Sequence, residues 1–285
     1  MSRKSFQELN LTDAFLFAVA MSDPVVLKDT LEILLEREIG ELTVSVEQSL
    51  LFSSDNRSVR LDVFCNDDVL NSYNVEMQGD YEGNLPKRSR YYQAQMDVHA
   101  LKPGDDIDLL KPNYVIFICN FDPFGYNLYR YTFENVCQEN GMPLGDGTKK
   151  IFFNIRGRNV ADVSTELISL LKYMRDTTEE CVGGLDSDSR ISRIHSRICE
   201  LKKSREWERC YYMRFDELIK KAEKEAEIRG HAEGHAEGRA QGSRDMLKLV
   251  AAMIKAGESS EAVARLSEDE KFLSEMCEKY LNTKE

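Results

Sequence analysis

SVRLDVFCNDDVLNSYNVEMQ (58–78) is the stretch that decides the fold, because it reads as two strands joined by a polar NDD turn. Side chains two apart share one face of a strand, so Arg60 and Asp62 fall on one face and Leu61 and Val63 on the other. The same alternation puts Glu76 and Gln78 together near the end of the second strand. A carboxylate inside an apolar strand is costly unless it is paired, protonated or bound to a metal. Two adjacent strands with a short turn bring Asp62, Glu76 and Gln78 to one edge of a sheet.

Upstream, LTVSVEQSLLF (42–52) keeps the period of two and is set off by SSDNR, which makes three consecutive strands, expected to be antiparallel. TDAFLFAVA (12–20) opens on the capping residues Thr12 and Asp13 and carries Phe15, Leu16 and Val19 at helical spacing. Asp23-Pro24 then starts a second helix whose stripe of Val26, Leu27, Leu31, Leu34 and Leu35 is expected to end near Gly40.

Downstream, NLPKRSRYYQAQMDVHALK (84–102) returns to helical spacing, with Pro86 acceptable in the first turn. YVIFICNF (114–121) is an almost unbroken apolar run between Pro112 and Pro123, the pattern of a central strand covered on both faces. NLYRYTF (127–133) and KKIFFNI (149–155) add strands, and ADVSTELISLLKYM (161–174) a closing helix. The order α-α-β-β-β-α-β-β-β-α predicts an α/β domain with a mixed central sheet flanked by helices.

The domain is placed at 8–180, followed by a linker at 181–189 that contains VGGLDSDS (182–189) and by a helical region at 190–285. In that region 190–229 reads as one long charged helix, and RGHAEGHAEGRAQG sets Gly230, Gly234, Gly238 and Gly242 four apart. Three short helices are expected from Arg244 onward. This extension suits self-association or partner binding, since its apolar stripe needs a cover.

No secretory signal pattern and no apolar run of membrane-spanning length occurs, and the seven cysteines are scattered without a C-x-x-C pair. These are the marks expected of a soluble, cytoplasmic chain with reduced thiols and no membrane partner. A net charge of −12 argues against a protein that coats DNA, but not against one with a local basic path.

Paired carboxylates suit a hard divalent cation such as Mg²⁺, with Mn²⁺ or Ca²⁺ as alternatives, because such ions take oxygen ligands and retain water. Room for a phosphate and an attacking water makes phosphodiester hydrolysis the matching chemistry. Arg88, Tyr92 and Gln95 follow at steps of four and three, which puts them on one helical face beside Lys87 and Arg90. A cation there would stabilise a pentacovalent phosphate, and its neighbours would contact the DNA backbone.

D-x(13)-E-x-Q on two successive strands resembles the PD-(D/E)xK nuclease superfamily. More narrowly, LTDAFLFAV, RLDVFC, YNVEMQ and KRSRYYQAQM are similar to its recombination-promoting nuclease and transposase family, over about residues 10–235. The resemblance implies a restriction-endonuclease-like fold and a metal-dependent DNA endonuclease. It makes Asp62 and Glu76 metal ligands, gives Gln78 the position of the superfamily lysine, and matches Asp13 to an acidic position that completes the metal shell.

Two other classes stay open on sequence alone. A nuclease fold without catalysis could bind DNA or protein, in keeping with the missing lysine. Alternatively the helical tail could carry the function, with the folded domain as its platform.

Overall fold

A computed structural model of the chain describes residues 4–46, 49–50, 59–60, 63–81 and 83–281. Helices α1 (Ala14–Met21) and α2 (Pro24–Leu35) precede strands β1 (Thr43–Val46), β2 (Ser49–Leu50), β3 (Val59–Arg60), β4 (Val63–Asn66) and β5 (Ser72–Gln78). Helix α3 (Leu85–Ala100) leads to β6 (Asn113–Cys119), β7 (Arg130–Phe133), β8 (Thr148–Asn154) and α4 (Thr165–Arg175). Helices α5 (Arg190–Lys202), α6 (Arg205–Lys255), α7 (Ser260–Arg265) and α8 (Glu270–Tyr280) complete the chain.

The main sheet is mixed, with order β1-β4-β5-β6-β8-β7, and β2 pairs with β3 apart from it. β1, β4 and β5 run antiparallel to one another in turn, as the alternation predicted. β6 lies parallel to both β5 and β8, and Val115 through Cys119 are wholly buried, so the apolar run is the central strand. A parallel strand with neighbours on both edges and cover on both faces has no use for alternating polar residues.

Asp67 fixes the β4–β5 hairpin. Its Oδ1 accepts from Asn71 N–H at 2.8 Å, and its Oδ2 accepts from Tyr73 Oη at 2.8 Å. Tyr73 Oη is in turn reached by Arg37 Nη2 at 2.9 Å. These bonds lock the turn and so set the register Val63↔Val75, which decides where Glu76 comes to rest.

One face of the sheet packs under α3 through Phe64, Val115, Phe117, Cys119 and Phe152, joined by Leu85 and Met96 of the helix. The other face carries Tyr73 and Tyr114, stacked at 5.1 Å, beneath the Arg37 guanidinium just past the end of α2. Helices α1, α2, α4 and α5 pack on one another, with α1 against β5. α5 contributes Ile191, Ile194 and Ile198 to buried positions. Asp29 of α2, itself buried, receives Arg193 of α5 through two bonds at 3.0 and 2.6 Å.

The structure corrects four expectations. α2 stops at Leu35 rather than near Gly40, because Glu36 takes a left-handed conformation (φ 51°) at the C-cap. β7 begins at Arg130, since Asn127 (φ 57°) interrupts the extended backbone. The single helix expected over 190–229 breaks between α5 and α6, where the amides of Lys203 and Ser204 close back on Glu200 and Leu201.

The fourth correction concerns the tail. α6 runs unbroken through Gly230, Gly234, Gly238 and Gly242 to Lys255, so two short helices follow it, not three. Each glycine costs about 1 kcal/mol of helix propensity, but the intervening Ala, Glu, Arg and Gln are strong helix formers.

Contacts divide the chain into compact units Met1–Tyr211 and Tyr212–Glu285. Within the second unit, Leu249, Met253 and Leu266 form a small core with Val263, Phe272 and Met276. Tyr280 Oη donates to Glu258 at 2.6 Å and ties α8 to the turn after α6. Among the described residues no helix is long and apolar enough to cross a membrane.

Candidate active site

Glu76 and Gln78 stand on β5 opposite Phe117 and Cys119 of β6, on the face that α3 covers. Period-two geometry adds Asn74 to the same face. All three are buried, with Glu76 only 2% exposed, so the acid is held away from water.

Helix α3 supplies the countercharge. Arg88 Nη2 lies 3.6 Å from Glu76 Oε2, and Nη1 donates to Gln78 Oε1 at 2.8 Å. Nε and Nη2 also donate to Tyr92 Oη at 3.2 and 3.0 Å. Beneath the guanidinium lie the rings of Tyr92 and Phe117, their centroids 5.4 and 5.6 Å from Cζ. Tyr92 stacks on Phe117, which stacks on Phe152, so an aromatic column backs the cation. A planar guanidinium suits this place because it can stack and donate at once.

Gln78 is fixed from both ends of its amide, since Nε2 donates to the Met77 carbonyl at 3.1 Å. Beside it, burial pushes the Cys119 thiol up to about 12, against the opposing pull of Arg88. Cys119 therefore fills space as a neutral thiol and supplies no thiolate.

The residues singled out in the sequence divide into groups. Glu76, Gln78, Arg88 and Tyr92 come together in one bonded cluster. Lys87 and Arg90 stand exposed on α3. Gln95 is half-buried, and its Oε1 is shielded from solvent with no hydrogen-bond partner among the described residues. Asp13 is the N-cap of α1, where Oδ1 accepts from Phe15 N–H at 2.9 Å and Leu16 N–H at 3.2 Å. Asp62 lies outside the described residues.

Asn74 was not singled out. It is wholly buried, and among the described residues neither its Oδ1 nor its Nδ2 has a hydrogen-bond partner. Two unpaired polar atoms in a core are uncommon and cost about 1–3 kcal/mol each. The signal was present in the N-x-E-x-Q alternation of β5, which places Asn74 in line with the acid and the amide.

Among the described residues no three His, Cys, Asp or Glu side chains are grouped to hold a metal ion. Glu76 contributes one buried carboxylate, and the Asn74 amide oxygen on its face is the donor type that hard cations accept. The chemistry of these donors therefore fits a divalent ion of the Mg²⁺ class.

Comparison with known families finds that the model of the PD-(D/E)XK nuclease family transposase matches residues 15–216. No curated protein and no solved structure matches the chain.

Proposed function

Because the chain belongs to the PD-(D/E)XK nuclease transposase family, we propose that it is a metal-dependent endonuclease that hydrolyses phosphodiester bonds in DNA. The observation that carries this reading is the buried Glu76 carboxylate held against a guanidinium that also grips Gln78. Recombination, movement of mobile elements or defence against foreign DNA in the cytoplasm is the setting that suits such an activity.

In this reading Asp62 and Glu76 hold the cation, with Asp13 completing its shell. Asp62 precedes Val63 in the chain, and Val63 pairs with Val75, the residue before Glu76. A bound Mg²⁺ or Mn²⁺ would supply a water of lowered pKa and charge opposite the scissile phosphate.

The remaining roles fall to the chain's own groups. Gln78 can donate and accept hydrogen bonds but cannot serve as a base, so it orients rather than deprotonates. Arg88 provides the positive charge that lysine provides elsewhere in the superfamily. Its delocalised guanidinium stabilises negative charge growing on the phosphate without giving up a proton. Lys87 and Arg90 contact the DNA backbone, with Gln95 and Tyr92 supporting the helix face behind them.

Purified full-length protein should nick supercoiled plasmid with Mg²⁺ or Mn²⁺ and stop when the metal is chelated. Absence of nicking with every divalent ion tried would instead favour a fold that binds DNA or protein without cutting it. The departure at Gln78 supports that second reading.

The second unit is proposed to join two copies so that both strands are cut. Leu247 and Ile254, one heptad apart on α6, are 70% and 64% exposed, which leaves an apolar edge for a partner. Light scattering should give a dimer or larger species; a monomer at all concentrations would sink this part.

A further inference from the structure

The carboxyl ends of the three parallel strands are level, because Gln78, Cys119 and Asn154 are in register. In open α/β sheets ligands meet the chain at this end. Three short segments emerge there. Tyr81 lies three residues past Gln78 and is 66% exposed. Phe121 lies two residues past Cys119 and meets Tyr81 edge to face at 5.4 Å. Asn120 N–H donates to the Gln78 carbonyl at 2.9 Å, which ties the aromatic pair to the strand of the candidate site.

The third segment brings a cation. Arg156, two residues past Asn154, donates through Nε to the Asn120 carbonyl at 2.8 Å and through Nη2 to Asn120 Oδ1 at 3.2 Å. Anchored in this way, its exposed guanidinium is held on Asn120, the residue before Phe121, before any ligand arrives. Neighbouring strands are about 4.8 Å apart, so the strand that leads to Arg156 runs roughly 10 Å along the edge from that of Gln78.

The loop between Phe121 and Leu128 is held in shape as well. Asp122 accepts from Phe124 N–H, Asn127 N–H and Tyr131 Oη at 3.1, 2.6 and 2.7 Å. Tyr131 Oη accepts in turn from Tyr126 N–H and Leu128 N–H at 3.3 and 3.1 Å. Tyr126 nevertheless stays 76% exposed, so this rigid loop holds an aromatic ring in solvent.

An exposed tyrosine ring braced edge to face, on the same sheet edge as an anchored guanidinium, offers a π face to a planar ligand that also carries a negative charge. Bases inside a duplex already have both faces covered, whereas unpaired bases do not. With a net charge of −12, phosphate contacts alone are a weak source of affinity, and stacking has to contribute.

We infer that this edge binds unpaired nucleotides, Tyr81 stacking on a base with Phe121 bracing its ring edge to face, while Arg156 contacts the adjoining phosphate. The substrate is then DNA with single-stranded or extruded bases next to the cut, not unbroken duplex. This inference rests on the nuclease reading of the neighbouring site, and its test is separable from that reading because it reads binding rather than cleavage.

The test uses the full-length protein in chelator, with a fluorescein-labelled single-stranded DNA oligonucleotide, the same sequence as blunt duplex, and the same sequence as RNA, followed by anisotropy. The single-stranded DNA should bind at least tenfold more tightly than the duplex. Tyr81→Ala should weaken that binding about tenfold and leave duplex binding unchanged, while Tyr81→Phe retains it. Arg156→Gln should lower the slope of log affinity against log salt by about 0.7.

Equal affinity for single strand and duplex, no binding to either, preference for RNA alone, or an unaltered Tyr81→Ala protein would each overturn the inference. Single-strand binding by a protein that never nicks plasmid would uphold this track and reject the nuclease reading. Plasmid nicking without the single-strand preference would do the reverse.

Discussion

Glu76→Gln is expected to keep the fold and lower plasmid cleavage by about a thousand-fold, the loss of several kcal/mol of transition-state stabilisation. The substitution preserves the shape of a side chain that is 2% exposed and removes only its charge. Arg88 keeps water, Gln78 and Tyr92 as partners, so the melting temperature should fall by only a few degrees while the reaction is lost. Initial nicking rates and thermal unfolding of the same preparations check both halves. A Glu76→Gln protein that cuts at the parent rate would remove Glu76 from the mechanism.

Arg88→Ala should behave differently, because it strips the cation from a buried anion. Glu76 then loses the guanidinium at 3.6 Å, and Gln78 Oε1 loses its 2.8 Å donor. Removing one partner of a buried pair costs about 3–5 kcal/mol, and the 22% exposure of Arg88 sets the expectation at the lower end. Cleavage should fall by roughly a hundred- to a thousand-fold, as when an oxyanion-stabilising donor is deleted.

The two changes can be separated by combining them. In the double variant Arg88→Ala with Glu76→Gln the buried anion is removed together with its guanidinium, so urea unfolding should show most of the lost stability regained while cleavage stays absent. Equal instability of the single and double variants would mean that Arg88 stabilises through its stacking on Tyr92 and Phe117 instead.

Much of the first unit was legible because its signals are local. Alternation along β5 placed Glu76 and Gln78 on one face, and the four-residue step put Arg88 and Tyr92 on one side of α3. The apolar run at β6 announced a central strand, and Asp23-Pro24 opened α2 as expected. These patterns depend on backbone period and capping chemistry, which neighbouring residues alone decide.

Other features depend on elements far apart in the chain and could not be read that way. Nothing in YNVEMQ shows that Asn74 ends with both amide atoms unpaired, since that depends on what α3 and β6 bring over it. The break at Ser204 and the continuation of α6 past Arg244 to Lys255 both depart from the local pattern, because propensity is weak against tertiary packing and against strong helix formers on either side. Tyr81, Phe121 and Arg156 are 75 residues apart at their extremes and look unrelated until a parallel sheet levels the ends of three strands.

The sequence by itself determined which side chains share a strand or helix face, and so named the acid, the amide and the cation. Only the tertiary structure decided their partnership, because the parallel pairing of β5 with β6 and the seating of α3 across both bring Arg88 onto Glu76 and Gln78. That partnership follows from long-range burial: a carboxylate taken out of water must find its countercharge on whichever element covers it.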